Sequence, residues 1–175
     1  MDKYILGIDP SLSSTGYVLY DDDEKKVIKH GRIITKTGDE LIDRITTIVE
    51  GLMDICPEDI KCVCIEDGFI GAKKALKNSM HLAMLRGAIY YAFYSKGIKT
   101  YMMLSSTTRK LVVNRGNASK EDVAKYLDSI MRKDEVFATL PPFSDANNKN
   151  KTSDIYDAMA LVLAASARIS EETDG

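Results

Sequence analysis

The chain has 175 residues, the length of about one globular domain, with 45 % apolar residues, 29 % charged residues and a net charge of −2. No apolar run approaches the roughly 18 residues of a membrane span, and the N-terminus lacks a signal-peptide pattern, which predicts a cytoplasmic protein with no membrane partner. Three cysteines and two histidines without the spacing of zinc ligands disfavour a zinc site.

The first half of the chain predicts four strands and one helix. The run "KYILGID" is typical of a buried strand, and "TGYVLYDDDEKKVIKHGRII" predicts two further strands around a polar turn. Apolar residues then recur at helical spacing from Leu41 to Met53, with Asp39 as the expected N-cap and Pro57 beyond the end. The fourth strand is predicted over "KCVCIE".

The second half predicts three helices and a fifth strand. A long helix is expected over about 73–94, followed by the strand "IKTYMML" and by a helix over "KEDVAKYLDSIM" that Ser119 caps. The polar loop "PPFSDANNKNKTS" precedes a last, apolar helix, and residues 170–175 are expected to form a disordered tail. This order predicts an α/β fold in a single domain, 1–169, with a mixed five-stranded sheet and helices packed on its faces.

Charge is distributed unevenly along the chain. The segment from Gly68 to Lys133 carries thirteen Lys and Arg residues against three acidic ones, whereas the rest carries eleven basic and twenty-three acidic residues. Such asymmetry within one domain predicts a basic surface that binds a polyanion, in spite of the net charge of −2.

Four carboxylates are candidates for a metal site. Asp154 and Asp157 share one face at the expected start of the last helix, where N-capping would also account for them. Asp9 and Glu66 end the first and fourth strands, and they become neighbours if those strands are adjacent and parallel. Because clustered carboxylates repel, protonation or hard cations such as Mg²⁺ must stabilise them. Two such ions would suit phosphodiester cleavage.

Several blocks of the sequence together resemble one nuclease family. The blocks "GIDPSLSSTGY", "CIEDGFIGAKKAL", "LRGA", "RKLVVNRGNASK" and "SDIYDAMALVLA" are similar, in this order, to those of the RuvC family of Holliday-junction resolvases. The resemblance implies an RNase H-like fold with strand order 3-2-1-4-5, a homodimer, and paired symmetric nicks in four-way DNA junctions. It also implies two Mg²⁺ ions per active site, with Mn²⁺ able to substitute, and products with a 5′-phosphate and a 3′-hydroxyl.

The resemblance further implies which residues act. Asp9, Glu66, Asp154 and Asp157 match the catalytic, metal-binding acids, and Phe69 matches an aromatic residue that packs on opened bases, although a core position would also suit it. Two basic residues match positions near the scissile strand, and five more in the basic segment are expected to contact phosphates: Arg109 and Lys120, then Lys73, Lys74, Lys77, Lys110 and Arg115.

Two loops depart from the usual pattern of the family. "SLSS" stands where bacterial members usually have Gly and Arg, and "RGNASK" replaces a Gly-rich segment, which favours a bacteriophage-type member acting in a bacterial host cell on a broader range of branched DNA. The alternatives are a nuclease of the same fold acting on RNA–DNA hybrids, a non-catalytic junction-binding module and an actin-like ATPase or kinase. The last needs a second lobe, so we expect no nucleotide cofactor.

Overall fold

The computed structural model describes residues 2–68, 76–143 and 149–174. Its five strands are β1 Tyr4–Asp9, β2 Ser14–Asp21, β3 Lys26–Ile34, β4 Ile60–Asp67 and β5 Thr100–Leu104. They form one sheet in the order β3-β2-β1-β4-β5, which confirms the predicted order. β1 pairs antiparallel with β2 and parallel with β4, so the C-terminal ends of β1 and β4 lie side by side.

Helices cover both faces of this sheet, as predicted. They are α1 Leu41–Ile55, α2 Leu76–Tyr94, α3 Ser105–Val113, α4 Lys120–Met131 and α5 Lys149–Asp174, with a short 3₁₀ turn at Phe137–Thr139. α1 and α2 share one buried core with the sheet, and α3, α4 and α5 share the other. In the part of the chain that the structure describes, no helix is long and apolar enough to cross a membrane.

Local sequence signals account for some helix ends and not for others. Ser119 and Asp122 form the predicted cap of α4, because each side chain accepts a hydrogen bond from the other residue's backbone N–H. The prediction of Asp39 as the cap of α1 is wrong: Glu40 precedes the helix, and the N–H of Asp39 bonds to Lys36 in a turn outside it. Helix α3 was not predicted from the sequence, because its Ser, Thr and Val residues have modest helix propensity.

The last helix is longer than predicted at both ends. It begins at Lys149, so Asp154 lies in its second turn and is not the N-cap. It also continues to Asp174, where we expected a disordered tail. Contacts at the start of β5 hold this polar segment in place. Glu172 accepts hydrogen bonds from Lys99 Nζ at 2.6 Å and from the Tyr101 hydroxyl at 3.1 Å.

Two glycines let α5 approach the sheet closely. A Cβ atom on Gly7 of β1 would lie 2.2 Å from the backbone oxygen of Ala158, and one on Gly16 of β2 would lie 2.3 Å from the backbone oxygen of Asp154. Gly16 is also the register partner of Asp9 at the end of β1. The glycines therefore place the Asp154 turn of α5 beside Asp9, which sets the geometry of the site.

Candidate active site

Three elements bring acidic side chains together at the C-terminal edge of the sheet. Asp9 ends β1, Glu66 lies one residue before the end of β4, and Asp157 lies on α5. The carboxyl groups of Asp9 and Glu66 are hydrogen-bonded to each other, and Asp157 is close enough to influence the pKa of Asp9. Asp154 lies three residues before Asp157 on the same helix and interacts electrostatically with it. The four acids therefore converge on one edge of the sheet.

Burial and like charges shift the protonation of this cluster. Burial, together with the negative charges of Glu66 and Asp157, raises the pKa of Asp9 to about 9. Burial also raises the pKa of Asp157, although the Lys120 ammonium acts in the opposite direction. These effects, together with the hydrogen bond to Glu66, favour the protonated form of Asp9.

Each of the other acids has a donor of its own. The Ser14 hydroxyl donates to Asp154 Oδ2 at 2.6 Å, the Ser105 hydroxyl donates to Glu66 Oε1 at 2.5 Å, and the Lys120 ammonium forms an ion pair with Asp157. The two serines were missed in the sequence analysis. The only signal was that hydroxyl-rich runs, "SLSS" and "SSTT", follow two strands that end at this edge.

The donor set fits a divalent cation. Within the described residues no group of three His, Cys, Asp or Glu side chains is arranged to hold a metal ion. The carboxylates of Glu66, Asp154 and Asp157 contact Ser105, Ser14 and Lys120, respectively. The acids supply only oxygen ligands, which Mg²⁺ prefers, and the mutual repulsion that helps to raise the pKa of Asp9 is what a bound cation would relieve.

The structure divides the predicted DNA-binding residues into separate groups. Lys120 and Arg109 lie at the acids, where both line a small cavity with Glu66 and Asp157. Lys110 and Arg115 line a different groove, which also contains Ala167, ten residues or about 15 Å along α5 from Asp157. The structure therefore does not bring these two to the acids. Lys77 is exposed in the first turn of α2, whereas Phe69, Lys73 and Lys74 lie outside the described residues.

Comparison with known proteins decides the family. The sequence profile of crossover junction endodeoxyribonuclease RuvC matches residues 5–164. The chain belongs to the RuvC family. The RuvC of Caldanaerobacter subterraneus subsp. tengcongensis is 28 % identical over 165 residues, covering 91 % of this chain and 89 % of that relative. The RuvC of Pelobacter propionicus is 31 % identical over 137 residues, covering 75 % of this chain and 76 % of the relative.

Solved RuvC structures share the fold. The structure of Thermus thermophilus RuvC aligns with a TM-score of 0.77 at 18 % identity, covering 97 % of both chains. The same protein in complex with a Holliday junction substrate aligns with a TM-score of 0.75 at 15 % identity, covering 98 % of this chain and 97 % of that one. The sheet order and the helices on both faces are thus those of the RNase H-like fold of RuvC, as the sequence predicted.

Proposed function

We propose that this RuvC-family chain is a structure-selective endodeoxyribonuclease that resolves four-way DNA junctions in the cytoplasm, with Asp9, Glu66, Asp154 and Asp157 as its catalytic acids. The observation that carries the proposal is the convergence of these acids from β1, β4 and α5 around a carboxyl group whose pKa is raised to about 9. Such a strongly perturbed acid cluster is typical of a catalytic site. The family match over residues 5–164 supports a phosphodiester-cleaving reaction there.

The four acids would hold two Mg²⁺ ions, or Mn²⁺ in their place. When bound, such ions activate water and stabilise the leaving oxygen of a phosphodiester. Two serines orient the acids through hydrogen bonds: Ser14 donates to Asp154, and Ser105 donates to Glu66. Asp9 must release its proton before its carboxylate binds a cation, so cation binding is expected to strengthen as pH rises.

Basic residues at the acids would hold the scissile strand. Lys120 is 55 % exposed at its side chain although it pairs with Asp157, so its ammonium is able to reach a phosphate in front of the site. Arg109 lines the same cavity. Lys77, Lys110 and Arg115 would contact phosphates of the junction arms further away, and Phe69, Lys73 and Lys74 remain proposals from the sequence resemblance.

We further propose that the protein is a homodimer, because paired symmetric nicks require two active sites. From the sequence, one set of apolar residues in α2 is a candidate either for the interface or for a face packed on the sheet: Met80, Leu82, Met84, Leu85 and Ile89. The structure corrects this set: Leu85 and Ile89 are buried against the sheet, whereas Met80 and Met84 are exposed. The exposed apolar residues of α2 are spaced by three, four or seven positions, close to whole helical turns, and so share one outer face: Leu76, Met80, Met84, Tyr91 and Tyr94.

Charge on this outer face should dissociate the dimer. Met84, which is 53 % exposed, is the central residue of the face, and Met84→Glu would place a carboxylate at the contact. We expect the wild type to sediment as a dimer at micromolar concentration and Met84→Glu to sediment as a folded monomer. Ile42→Glu, at an exposed apolar position of α1, is the control and should remain dimeric. A monomeric wild type would contradict the dimer.

The proposed activity is tested by nicking assays on DNA of defined shape. Four-way, three-way, flap and linear DNA and an RNA–DNA hybrid are incubated with the protein in Mg²⁺, Mn²⁺, Ca²⁺ or EDTA. We expect symmetric nicks in the four-way junction with Mg²⁺ or Mn²⁺, little cutting with Ca²⁺ because its longer and looser coordination positions water poorly, and none in EDTA. Equal cutting of linear and four-way DNA, or full activity in EDTA, would refute the proposal.

A further inference from the structure

The side chain of Arg86 lies against the end of β4 and has no role in the site described above. It belongs to the "LRGA" block of α2. A Cβ atom on Gly68 would lie 2.7 Å from Arg86 Nη2, 2.9 Å from Nη1 and 3.1 Å from Cζ. Because both Nη atoms are nearer than Cζ, the Nη end of the guanidinium is directed towards Gly68 and occupies space that any other side chain would fill. Gly68 is only two residues beyond Glu66, or roughly 7 Å along an extended chain.

One nitrogen of the guanidinium lacks a hydrogen-bond partner within the described part of the chain. Arg86 Nε is buried there and makes no hydrogen bond. Asp67 lines the same cavity, and its Oδ1 accepts a hydrogen bond from the backbone N–H of Gly68 at 2.8 Å. A buried donor without an acceptor lowers stability, so contacts within the described residues do not account for the position of this side chain.

Space for a ligand lies beside the guanidinium. A cavity of about 330 Å³ is lined by Arg86 with Asp67, Gly68, Ala83, Gly87, Tyr90 and Met102. Ala83 lies about one helical turn before Arg86, and Gly87 directly follows it. Both residues are small, which leaves the approach to the guanidinium open. The planar fork of an arginine matches the oxygens of a phosphate, which it binds through two parallel hydrogen bonds.

We propose that Arg86 binds a backbone phosphate of the DNA strand near the scissile phosphate. This inference rests on the proposed function, because it takes the acids beside Glu66 as the point of cleavage. A DNA strand carries one phosphate for each ~3.4 Å of helix axis, so a strand positioned at Glu66 has further phosphates within reach of Arg86. The phosphate would contact the part of the guanidinium that lines the cavity, because the buried Nε is out of reach of a ligand.

Arg86→Gln and Arg86→Lys test the proposal by junction binding in EDTA, from 50 to 200 mM salt. Loss of a charge-assisted contact should weaken binding by Arg86→Gln roughly 10- to 100-fold. It should also reduce the slope of log affinity against log salt by about 0.9, the value for one phosphate contact. Arg86→Lys should keep the wild-type slope while losing part of the affinity, because it retains the charge without the fork.

Arg168→Gln is the matched control, since Arg168 is an exposed arginine that pairs with Glu172 near the end of α5. It should keep wild-type affinity and slope, and the melting temperature of Arg86→Gln should not fall. An unchanged salt slope in Arg86→Gln, or a lowered melting temperature with unchanged binding, would overturn the proposal. A wild-type protein whose junction affinity falls steeply with salt but which cuts no junction would contradict the proposed function and not the role of Arg86. The two proposals can therefore fail separately.

Discussion

Asp9→Asn should abolish nicking of four-way junctions while junction binding is retained or strengthened. The substitution keeps the size of the side chain but removes a carboxylate that is buried beside Glu66 and Asp157. We expect nicking to fall on the order of 10³-fold or more, as for other removals of groups that stabilise charge in the transition state. Binding should not weaken, because one source of repulsion between protein and phosphate is removed. Single-turnover nicking and an equilibrium binding titration measure the two effects separately.

The same variant should change the pH dependence of stability. The pKa of Asp9 is raised from 3.8 to about 9, so between these values the folded protein keeps a proton that the unfolded chain releases. The free energy of unfolding attributable to Asp9 therefore falls as pH rises from about 4 to about 9. Thermal melts of the wild type in EDTA should show this loss, and Asp9→Asn should reduce it. Added Mg²⁺ should raise the melting temperature of the wild type at pH 8 more than that of Asp9→Asn.

A control variant tests whether removal of any carboxylate, rather than one in the acid cluster, has these effects. Asp43→Asn makes the same chemical change at an exposed position in the first turn of α1. It should nick junctions at the wild-type rate and keep the wild-type dependence of stability on pH. Nicking by Asp9→Asn at a rate close to that of the wild type would remove Asp9 from the catalytic acids.

Gly16→Ala should damage both stability and catalysis, because its Cβ would lie 2.3 Å from the backbone oxygen of Asp154. Backbone cannot rotate away as a flexible side chain can, so α5 must shift relative to β2. Overpacking of this kind costs about 1–3 kcal/mol of unfolding free energy. Displacement of Asp154 by about 1 Å would also lower the nicking rate of the folded protein by roughly 10²-fold. Gly7→Ala, with its Cβ 2.2 Å from the backbone oxygen of Ala158, should behave similarly.

Gly38→Ala provides the comparison for both glycines, since a Cβ at Gly38 would meet nothing within 4 Å. Chemical denaturation gives the free energies of unfolding, and nicking is measured under conditions in which each variant is folded. Gly38→Ala should match the wild type in both measurements. Wild-type stability and nicking by Gly16→Ala would show that the contact between α5 and β2 does not position Asp154.

The sequence predicted those parts of the fold that depend on local pattern. Short apolar, β-rich runs indicated the strands, and the acids at the ends of β1 and β4 indicated where a site would form. The faces of α2 were not predictable, because apolar residues surround this helix: Leu85 and Ile89 pack on the sheet, whereas Met80 and Met84 face outwards. Periodicity therefore did not show which residues are available for a partner.

Features that depend on contacts between distant segments were also not predictable. Ser14 and Asp154 are 140 positions apart, so neither residue indicates the hydrogen bond that joins them. The same holds for Ser105 and Glu66, which become neighbours only because β4 and β5 are adjacent. The start of α5 was misplaced because Lys149 and Asn150 belong to a polar segment that resembles a loop in composition.

The docking of α5 on β1 and β2 also determines when this site can form during protein synthesis. Asp9 and Glu66 leave the ribosome early, but Asp154 and Asp157 belong to the last helix, which follows all five strands in the chain. A nascent chain that ends before α5 has only half of the acids and lacks the helix that covers Gly7 and Gly16. Such a chain leaves one face of the sheet exposed and cannot form the full acid cluster. If these acids cut DNA as we propose, this competence is acquired only when α5 docks on the sheet.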